Sequence, residues 1–171
     1  MPTRERKDSR TMQTWMPVDS PLGRLTLVGS PTGLANVYFS TESPDLTAME
    51  PSPALADAAR QITEYFAGQR TSFSLKLDLP TAPPLPFRAR AQRALSTIPF
   101  GERWTYAQLA RAAGSAGAVR AAGSACATNP LPIVVPCHRV VRADGTIGSY
   151  RGGSEAKRFL LDHEYAIRAT Q

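Results

Sequence analysis

Three short apolar runs lie near the N-terminus, and each is bounded by proline, glycine or serine. They are Trp15–Val18, Leu22–Gly29 and Leu34–Phe39. Runs of this length between turn residues predict strands, and their close succession predicts a small antiparallel meander. A polar loop over Thr41–Pro53 follows, and Ala54–Ala67 then carries apolar residues at helical spacing. The first third of the chain is therefore predicted to form a sheet and one helix.

A further alternation of apolar and polar positions predicts one more strand, at Phe73, Leu75 and Leu77. Thr81–Pro86 is rich in proline and predicts a stiff linker. The polar stretch before the first strand is expected to be disordered, with a basic nucleic-acid arm as the alternative. The predicted divisions are a lead over 1–13, an α/β support domain over 14–79, a linker over 80–86 and a C-terminal domain over 87–171.

The second half of the chain is predicted to be mostly helical. Apolar residues at helical spacing predict a helix over Phe87–Ile98. Thr105 can cap a helix over Tyr106–Ala113, and Gly114–Gly117 gives a tight turn before a helix over Ala118–Ala127. Two short helices across a glycine-rich turn are typical of a helix-turn-helix, although plain packing units share the pattern.

The second of these two helices has very small side chains around a single cation. Arg120, Gly123, Ser124 and Ala127 recur at the spacing of one helix face. Glycine costs about 1 kcal/mol relative to alanine in a helix, so Gly123 indicates close approach by another surface. The alternative is tight helix packing with Arg120 in solvent. The opposite side offers alanines for packing, namely Ala118, Ala121, Ala122 and Ala125.

The C-terminal part of the chain predicts a strand, a loop and a last helix. Val140–Ile147 predicts a strand that ends in an Asp-Gly turn. A flexible loop over 148–153 follows, and Ser154 is expected to cap a helix over Glu155–Glu164. Residues 165–171 are expected to fray.

Charge is concentrated in the half of the chain that is predicted to be helical. Residues 1–86 carry 8 basic and 9 acidic side chains, whereas residues 87–171 carry 12 basic and 5 acidic ones. A basic half indicates an anionic partner, with nucleic acid first, although a general arginine bias is the alternative. No apolar run reaches the length of a membrane span and no signal peptide is visible. Two cysteines make no disulfide framework or zinc-finger pattern, so a reduced, cytoplasmic setting is predicted.

One stretch stands out as candidate chemistry. Asn129–Val141 reads Asn-Pro-Leu-Pro-Ile-Val-Val-Pro-Cys-His-Arg-Val-Val, with three prolines that exclude an ordinary helix or central strand. Such a stiff connector would hold Cys137 and His138 in a fixed place. A thiolate is the best soft nucleophile of a protein, and it needs a base or positive charge nearby. The alternative is a buried structural cysteine beside an unrelated histidine.

Pro136-Cys137-His138-Arg139-Val140, with Asn129-Pro130 upstream, resembles the active-site segment of the O6-alkylguanine-DNA alkyltransferases. The resemblance implies transfer of an alkyl group from guanine O6 in DNA, and also from O4-alkylthymine, irreversibly to the protein's own cysteine. It implies an α+β fold, with a small N-terminal α/β domain of ribonuclease H-like type and a mostly helical C-terminal domain with a helix-turn-helix. It further implies a monomer without cofactor or metal that binds double-stranded DNA through the minor groove.

The resemblance also assigns roles to single residues. Cys137 is the nucleophile and His138 its base, reached through a water molecule because adjacent side chains diverge in an extended segment. Glu164 would fix His138, although a surface carboxylate is the alternative. Tyr106 would donate a hydrogen bond to the leaving guanine. Asn129 would be a hinge between the helix over Ala118–Ala127, called the recognition helix, and the stretch Asn129–Val141, called the active segment. The implied alkyl pocket comprises Pro132, Val140, Gly148, Ser149, Tyr150, Arg151, Gly152 and Lys157. The implied DNA-binding set comprises Thr105, Tyr106, Arg120, Ala121, Gly123, Ser124 and Ala127, with Arg120 filling the space of the flipped nucleotide.

Some residues are assigned to packing or depart from the family pattern. Arg151 places a large cation where many relatives have a small residue, which leaves the breadth of the alkyl pocket open. Cys126 and the aromatic residue Tyr65 are interpreted as packing residues, and His163 as a surface residue. Two other classes of function remain open: a Cys-His-Glu thiol hydrolase, which would turn over, and a DNA-binding module that needs no cysteine.

Overall fold

The structure is a computed structural model, and it describes residues 13–171. The lead predicted over 1–13 therefore lies outside the described residues, except for Gln13. The carbonyl of Gln13 accepts a hydrogen bond from the Glu50 amide at 3.2 Å. None of the helices in residues 13–171 combines the length and the apolar character needed to cross a membrane.

The N-terminal part forms a four-stranded sheet in the order β3-β2-β1-β4. Strand β2 is antiparallel to both β1 and β3, which confirms the predicted meander. The short strand β4 lies inside the predicted loop and pairs parallel with β1. The strands are β1 (Thr14–Val18), β2 (Leu25–Ser30), β3 (Gly33–Tyr38) and β4 (Glu50–Pro51).

The predicted helix of the support domain is present as α1 (Ala56–Phe66). A 3-10 turn over Pro53–Leu55 leads into it, and the Ser52 hydroxyl caps this turn by accepting from the Ala54 amide. Helix α1 buries Ile62 and Tyr65 completely. This buried face packs toward the sheet and toward the C-terminal half of the chain.

The strand predicted at residues 73–77 is wrong. Only Leu77 forms a bridge to β3, where the Leu34 amide donates to the Lys76 carbonyl at 2.9 Å. Farther along the same edge of β3, the Val37 amide donates to the Pro130 carbonyl at 2.9 Å. The C-terminal half of the chain occupies part of this edge, so a full ladder cannot form there.

Four helices build the C-terminal half, as predicted. Thr105 caps α3 in a capping box, because its hydroxyl accepts from the Gln108 amide while the Gln108 side chain accepts from the Thr105 amide. The turn between α3 and α4 completes the helix-turn-helix, and both helices pack against α2. The helices are α2 (Phe87–Leu95), α3 (Tyr106–Ala112), α4 (Val119–Ala127) and α5 (Ser154–Arg168).

Two predictions about the end of the chain are wrong in detail. Gly153, rather than Ser154, occupies the cap position of α5, and Ser154 is its first residue. The helix runs on to Arg168, although fraying was expected from 165. Its last turn is stabilised by the rest of the protein, since the Ile167 side chain lies against Gly68 and Arg168 pairs with Glu102 at 3.4 Å.

The strand predicted over residues 140–147 is shorter than expected. Only β6 (Val140–Val141) forms, parallel to β5 (Trp104–Thr105). The chain then turns back as predicted at Asp-Gly, where Gly145 has φ +84° and the Arg142 amide donates to the Thr146 carbonyl. One apolar core joins the two halves, and it includes Leu27, Ile62, Leu131, Val135 and Leu160. The α+β class is confirmed.

Candidate active site

The segment that carries Cys137 is almost wholly buried, and its backbone geometry presents the cysteine at the start of a 3-10 turn, Cys137–Arg139. Pro136 has φ −81° and ψ 62°, the geometry of an inverse γ-turn. The Cys137 amide accordingly donates to the Val135 carbonyl at 2.8 Å. Proline favours this φ, so the sequence itself sets the direction in which the chain enters the site.

Asn129 holds this segment in shape from within. Its side-chain oxygen accepts from the Leu131 amide at 3.0 Å, and its side-chain nitrogen donates to the Val135 carbonyl at 2.8 Å. The prediction was that the amide would hold two backbones. Both bonds lie inside the active segment instead, and the link to α4 is a backbone bond from Asn129 to the Cys126 carbonyl at 3.3 Å.

His138 and Glu164 form a fully buried pair. Nε2 of His138 lies 2.7 Å from Oε1 of Glu164, and the two side chains are 0% and 1% exposed. A carboxylate only accepts, so Nε2 carries the hydrogen and Nδ1 carries the lone pair. Within residues 13–171, Nδ1 has no hydrogen-bond partner. The ring is therefore oriented with its basic nitrogen free.

Glu164 is an interior residue, so the alternative of a surface carboxylate is wrong. Nε and Nη2 of Arg139 both donate to it at 2.9 Å, and the Gly101 amide donates at 3.1 Å. The hydroxyl of Tyr65 donates to Oε1 at 2.8 Å. These donors hold both oxygens in place, and Arg139 balances the buried charge.

The electrostatics of the site favour a resting neutral pair of Cys137 and His138. Burial raises the pKa of the Cys137 thiol, although the Asn129 side chain and the Lys157 charge act to lower it. Burial also lowers the pKa of His138 against the raising effect of Glu164. For Glu164, burial acts to raise the pKa, but hydrogen bonds and charges from His138 and Arg139 outweigh it and hold the pKa well below its usual range. A neutral imidazole beside an ionised carboxylate is a competent base.

Lys157, one of the predicted pocket residues, is buried against the backbone of β6. Its ammonium donates to the Val140 carbonyl at 2.6 Å and lies 5.8 Å from the centre of the Tyr106 ring. Burial lowers the pKa of Lys157, while the thiols of Cys137 and Cys126 act to raise it. The lysine therefore supplies a buried positive charge within electrostatic reach of Cys137.

A cleft of about 470 Å³ lies between α4, the recognition helix, and the loop after β6. Gly148 and Ser149, two of the predicted pocket residues, line it together with Tyr106. A Cβ at Gly148 would overlap the Tyr106 hydroxyl. The close approach of these two residues therefore needs a glycine at 148.

The face of α4 that borders the cleft is open. Arg120, Ser124 and Ala127 are exposed and line the cleft with Gly123, and apart from its chain neighbours and the nearby backbone of α4, nothing in the described protein lies within 4 Å of a Cβ built on Gly123. The alternative of tight helix packing at Gly123 is therefore wrong. Of the alanines expected to pack, Ala122 and Ala125 are buried, Ala118 is half-buried and Ala121 is exposed.

The other predicted pocket residues are distributed around the active segment. Pro132 is buried within that segment, and the Tyr150 hydroxyl is buried with no hydrogen-bond partner among the described residues. Gly152 lies against the ring of Phe39, which also packs edge-on against Tyr150 at 5.6 Å. None of these residues lines the cleft at the recognition helix.

Arg151, whose size left the breadth of the alkyl pocket open, does not line the cleft. Its guanidinium pairs with Glu42 at 2.9 Å and donates to the Val37 carbonyl at 2.8 Å and to the Asn129 carbonyl at 2.9 Å. It also lies over the ring of Tyr38 at 5.2 Å. Arg151 therefore joins β3 to the start of the active segment.

Several residues near the site differ from the sequence interpretation. His163 is half-buried, and its Nε2 lies 2.9 Å from the Tyr65 carbonyl, so the surface prediction is wrong. Cys126 is buried as expected, and burial raises its pKa to about 12. Sequence reasoning missed Arg139 and Tyr65 as partners of Glu164. The position of Arg139 next to His138 was an available signal, but nothing in the sequence singled out Tyr65.

Taken together, the fold and the site define an α+β protein with a helix-turn-helix in its C-terminal half, a buried thiol and an oriented histidine. Family models agree with this class: the DNA binding domain of 6-O-methylguanine DNA methyltransferase matches residues 86–166, and the ribonuclease-like domain of the same family matches residues 14–79. The chain belongs to the 6-O-methylguanine DNA methyltransferase family, which confirms the resemblance.

Individual relatives extend the match over most of the chain. It is 44% identical over 147 residues to a methylated-DNA–protein-cysteine methyltransferase of Mycolicibacterium paratuberculosis, with 84% of this chain and 87% of that protein covered. It is 38% identical to the constitutive enzyme of Bacillus subtilis, with 90% and 96% covered. Among solved structures, the Mycobacterium tuberculosis OGT in complex with DNA matches with a TM-score of 0.81 and 40% identity, covering 90% of this chain and 94% of that one.

Proposed function

We propose that this protein repairs DNA by moving an alkyl group, above all methyl, from O6-alkylguanine to Cys137. The observation that carries the proposal is the buried His138–Glu164 pair, which leaves Nδ1 of the residue next to Cys137 free to take a proton. The names of the relatives support the same reaction. The product is a thioether, so each molecule acts once.

The proton of the thiol goes first to His138. Because the two side chains belong to adjacent residues, a bridging water carries it from Sγ of Cys137 to Nδ1. The imidazolium that forms is stabilised by the Glu164 carboxylate at 2.7 Å, in the way that a triad carboxylate stabilises its histidine. Lys157 adds positive charge that stabilises the thiolate.

The thiolate then attacks the alkyl carbon. A sulfur–carbon bond forms, the bond from that carbon to guanine O6 breaks, and its electron pair stays on the base, which takes up a proton. Tyr106 lies in the cleft and donates its hydroxyl hydrogen bond to the departing guanine. Burial raises the pKa of Tyr106, so the hydroxyl stays protonated and remains a donor at neutral pH.

The open face of α4 is the surface proposed to contact DNA. Its small residues allow the helix to enter the minor groove, and Arg120 takes the space of the nucleotide that rotates out of the duplex. Thr105, the cap of α3, and the exposed Ala121 are proposed to contact the DNA backbone. In this proposal the protein acts as a cytoplasmic monomer, and its domains over 14–79 and 87–171 are joined by the linker over residues 80–86.

Intact mass after incubation with a duplex oligonucleotide that contains O6-methylguanine tests this function. The expected result is a gain of one methyl group per protein, mapped to the peptide with Cys137, with no further reaction when fresh substrate is added. Repeated turnover would indicate a hydrolase, and tight binding without any mass gain would indicate a DNA-binding module. Either result overturns the proposal.

A further inference from the structure

A hydrogen bond crosses from the support domain to the carboxylate of the proposed active site. Tyr65 belongs to α1, and its hydroxyl donates to Oε1 of Glu164 at 2.8 Å across 99 positions of the sequence. Tyr65 is 0% exposed, and burial raises the pKa of its hydroxyl well above the usual value. The hydroxyl therefore stays protonated and remains a donor at neutral pH.

The position of the Tyr65 ring is fixed on several sides. Phe66, Phe73 and Phe100 contact it with ring centroids 5.2 to 6.1 Å away. The backbone carbonyl of Tyr65 lies 2.9 Å from Nε2 of His163, the residue before Glu164 in α5. Two consecutive residues of α5 thus contact Tyr65, one through its hydroxyl and one through its main chain.

The hydroxyl shares an acceptor atom with the catalytic histidine. Oε1 of Glu164 accepts from Tyr65, from Nε2 of His138 and from Nη2 of Arg139, whereas Oε2 accepts from Nε of Arg139 and the Gly101 amide. Donors that share one carboxylate oxygen compete for its electron density, so each weakens the bonds made by the others. Arg139 donates to both oxygens and Gly101 to Oε2, so Glu164 retains these donors when the Tyr65 hydroxyl is removed.

We propose that Tyr65 is a positioning residue by which the support domain sets the basicity of His138, acting through the shared oxygen of Glu164. This role rests on the proposed function, because it concerns the base of that reaction. The other charged groups that act on His138 are Arg139 and Lys157, and both disfavour its charged form. Tyr65 likewise disfavours the charged form of His138, so the imidazole stays neutral and able to accept the thiol proton.

Removal of the hydroxyl alone should show the effect. In Tyr65→Phe, Oε1 becomes a stronger acceptor for His138, so the pKa of His138 should rise by about half to one pH unit. The acid limb of the pH–rate profile for transfer from free O6-benzylguanine should move up by the same amount, so the variant should lose more rate at pH 6 than at pH 8.

The protein itself supplies a readout for this experiment and a control variant. It has only two histidines, so NMR titration follows His138 directly once its signals are distinguished from those of His163, whose ring packs 5.3 Å from that of Tyr65. Phe73→Leu removes a ring that packs on Tyr65 at 5.6 Å without touching Glu164. That control should lower the melting temperature while both the titration and the acid limb stay at the wild-type position.

A second variant keeps the test valid if Tyr65→Phe folds poorly. Site-specific 3-fluorotyrosine at 65 retains the shape and is a stronger donor, so it should move the His138 pKa and the acid limb downward. Wild-type protein that fails to take up the alkyl group would overturn the proposed function itself. Wild-type transfer with an unshifted or oppositely shifted His138 pKa in these variants would overturn the role of Tyr65 alone.

Discussion

The buried cluster around Glu164 and the open face of α4 differ in how their polar groups are satisfied. Glu164 receives hydrogen bonds from Tyr65, Gly101, His138 and Arg139, and its side chain is 1% exposed. Arg120 on α4 is exposed and forms no ion pair within residues 13–171. The cluster is organised before any partner arrives, whereas the α4 face finds its partners only in another molecule.

The two arrangements suit two tasks. Chemistry benefits from groups whose geometry is set in advance in an interior of low dielectric. Recognition of a duplex needs a surface free of internal bonds, with small residues that let the backbone come close. Changes in the buried cluster should therefore alter reactivity on every substrate, and changes on α4 should alter reactivity on duplex DNA alone.

The largest effect is expected from the nucleophile. Cys137→Ser should abolish alkyl transfer, because a hydroxyl is a far weaker nucleophile at neutral pH, while binding to DNA through α4 persists. Intact mass and a gel-shift assay measure the two properties. Cys126→Ser is the matched control, since Cys126 is the other buried cysteine. It should retain transfer, and a mass gain on Cys126 in the wild type would contradict the assignment.

Glu164→Gln should have the next largest effect. It removes the charge that stabilises the imidazolium, so transfer from both free base and duplex should slow about a hundredfold. It also leaves Arg139 buried without its counter-charge, at a cost of about 3 kcal/mol in the free energy of unfolding. Glu155→Gln, an exposed position in the first turn of α5, is the control and should change neither quantity.

The same variant makes a prediction about acid stability. The pKa of Glu164 is lowered from its usual 4.5 in the folded protein. Its contribution to stability is therefore fully present above pH 4.5 and lost as the pH falls toward the folded value. Denaturant unfolding from pH 7 down to pH 3 should show a steeper loss of stability in the wild type than in Glu164→Gln. Parallel curves would show that the carboxylate is not linked to folding.

Arg120 should have a smaller effect, confined to duplex DNA. Without Arg120, the space left by the flipped nucleotide stays empty, and the flipping of a stacked base is left uncompensated by a few kcal/mol. Arg120→Ala should therefore slow duplex repair about tenfold to a hundredfold. Arg120→Lys should rescue poorly, because an ammonium lacks the planar guanidinium that stacks. Arg24→Ala, at an exposed arginine just before β2, is the control. If Arg120 were one phosphate contact, its loss would instead lower the salt slope of affinity by about one unit on every duplex.

The smallest effect is expected from a change in the cleft that borders the α4 face, at Gly148. A methyl group at Gly148 would overlap the Tyr106 hydroxyl, so Gly148→Ala should displace the ring and narrow the cleft. Overpacking of this kind costs about 1–3 kcal/mol. Transfer of methyl should slow modestly, and transfer of benzyl should slow more. Gly117→Ala, at an exposed glycine where an added Cβ meets nothing within 4 Å, is the control, and equal rates for both alkyl groups in Gly148→Ala would contradict the steric account.

The sequence predicted the α4 face and the meander well, because both rest on local patterns. Small residues around Arg120 and turn residues between short apolar runs are visible without a fold. The strand at 73–77 was predicted wrongly, since alternation cannot show that Pro130 occupies part of the edge of β3. The extension of α5 to Arg168 likewise depends on contacts with Gly68 and Glu102 that are distant in sequence.

The buried cluster was only half predictable. Cys137 and His138 stood out because prolines frame them, and Glu164 was placed by resemblance. The bonds from Tyr65 and Gly101 join residues 99 and 63 positions apart, and no local pattern encodes them. The partner of Arg151 could not be predicted for the same reason, since Glu42 lies 109 positions away in the other half of the chain.

The ratio of the transfer rate on duplex O6-methylguanine to the rate on the free O6-alkylguanine base tests most directly whether chemistry and recognition are separate. The free base needs no flipping, so it reports the buried cluster alone. Arg120→Ala should lower this ratio at least about tenfold with little change on the free base, whereas Glu164→Gln should lower both rates and leave the ratio unchanged. An equal loss on free base and duplex in Arg120→Ala would contradict the account.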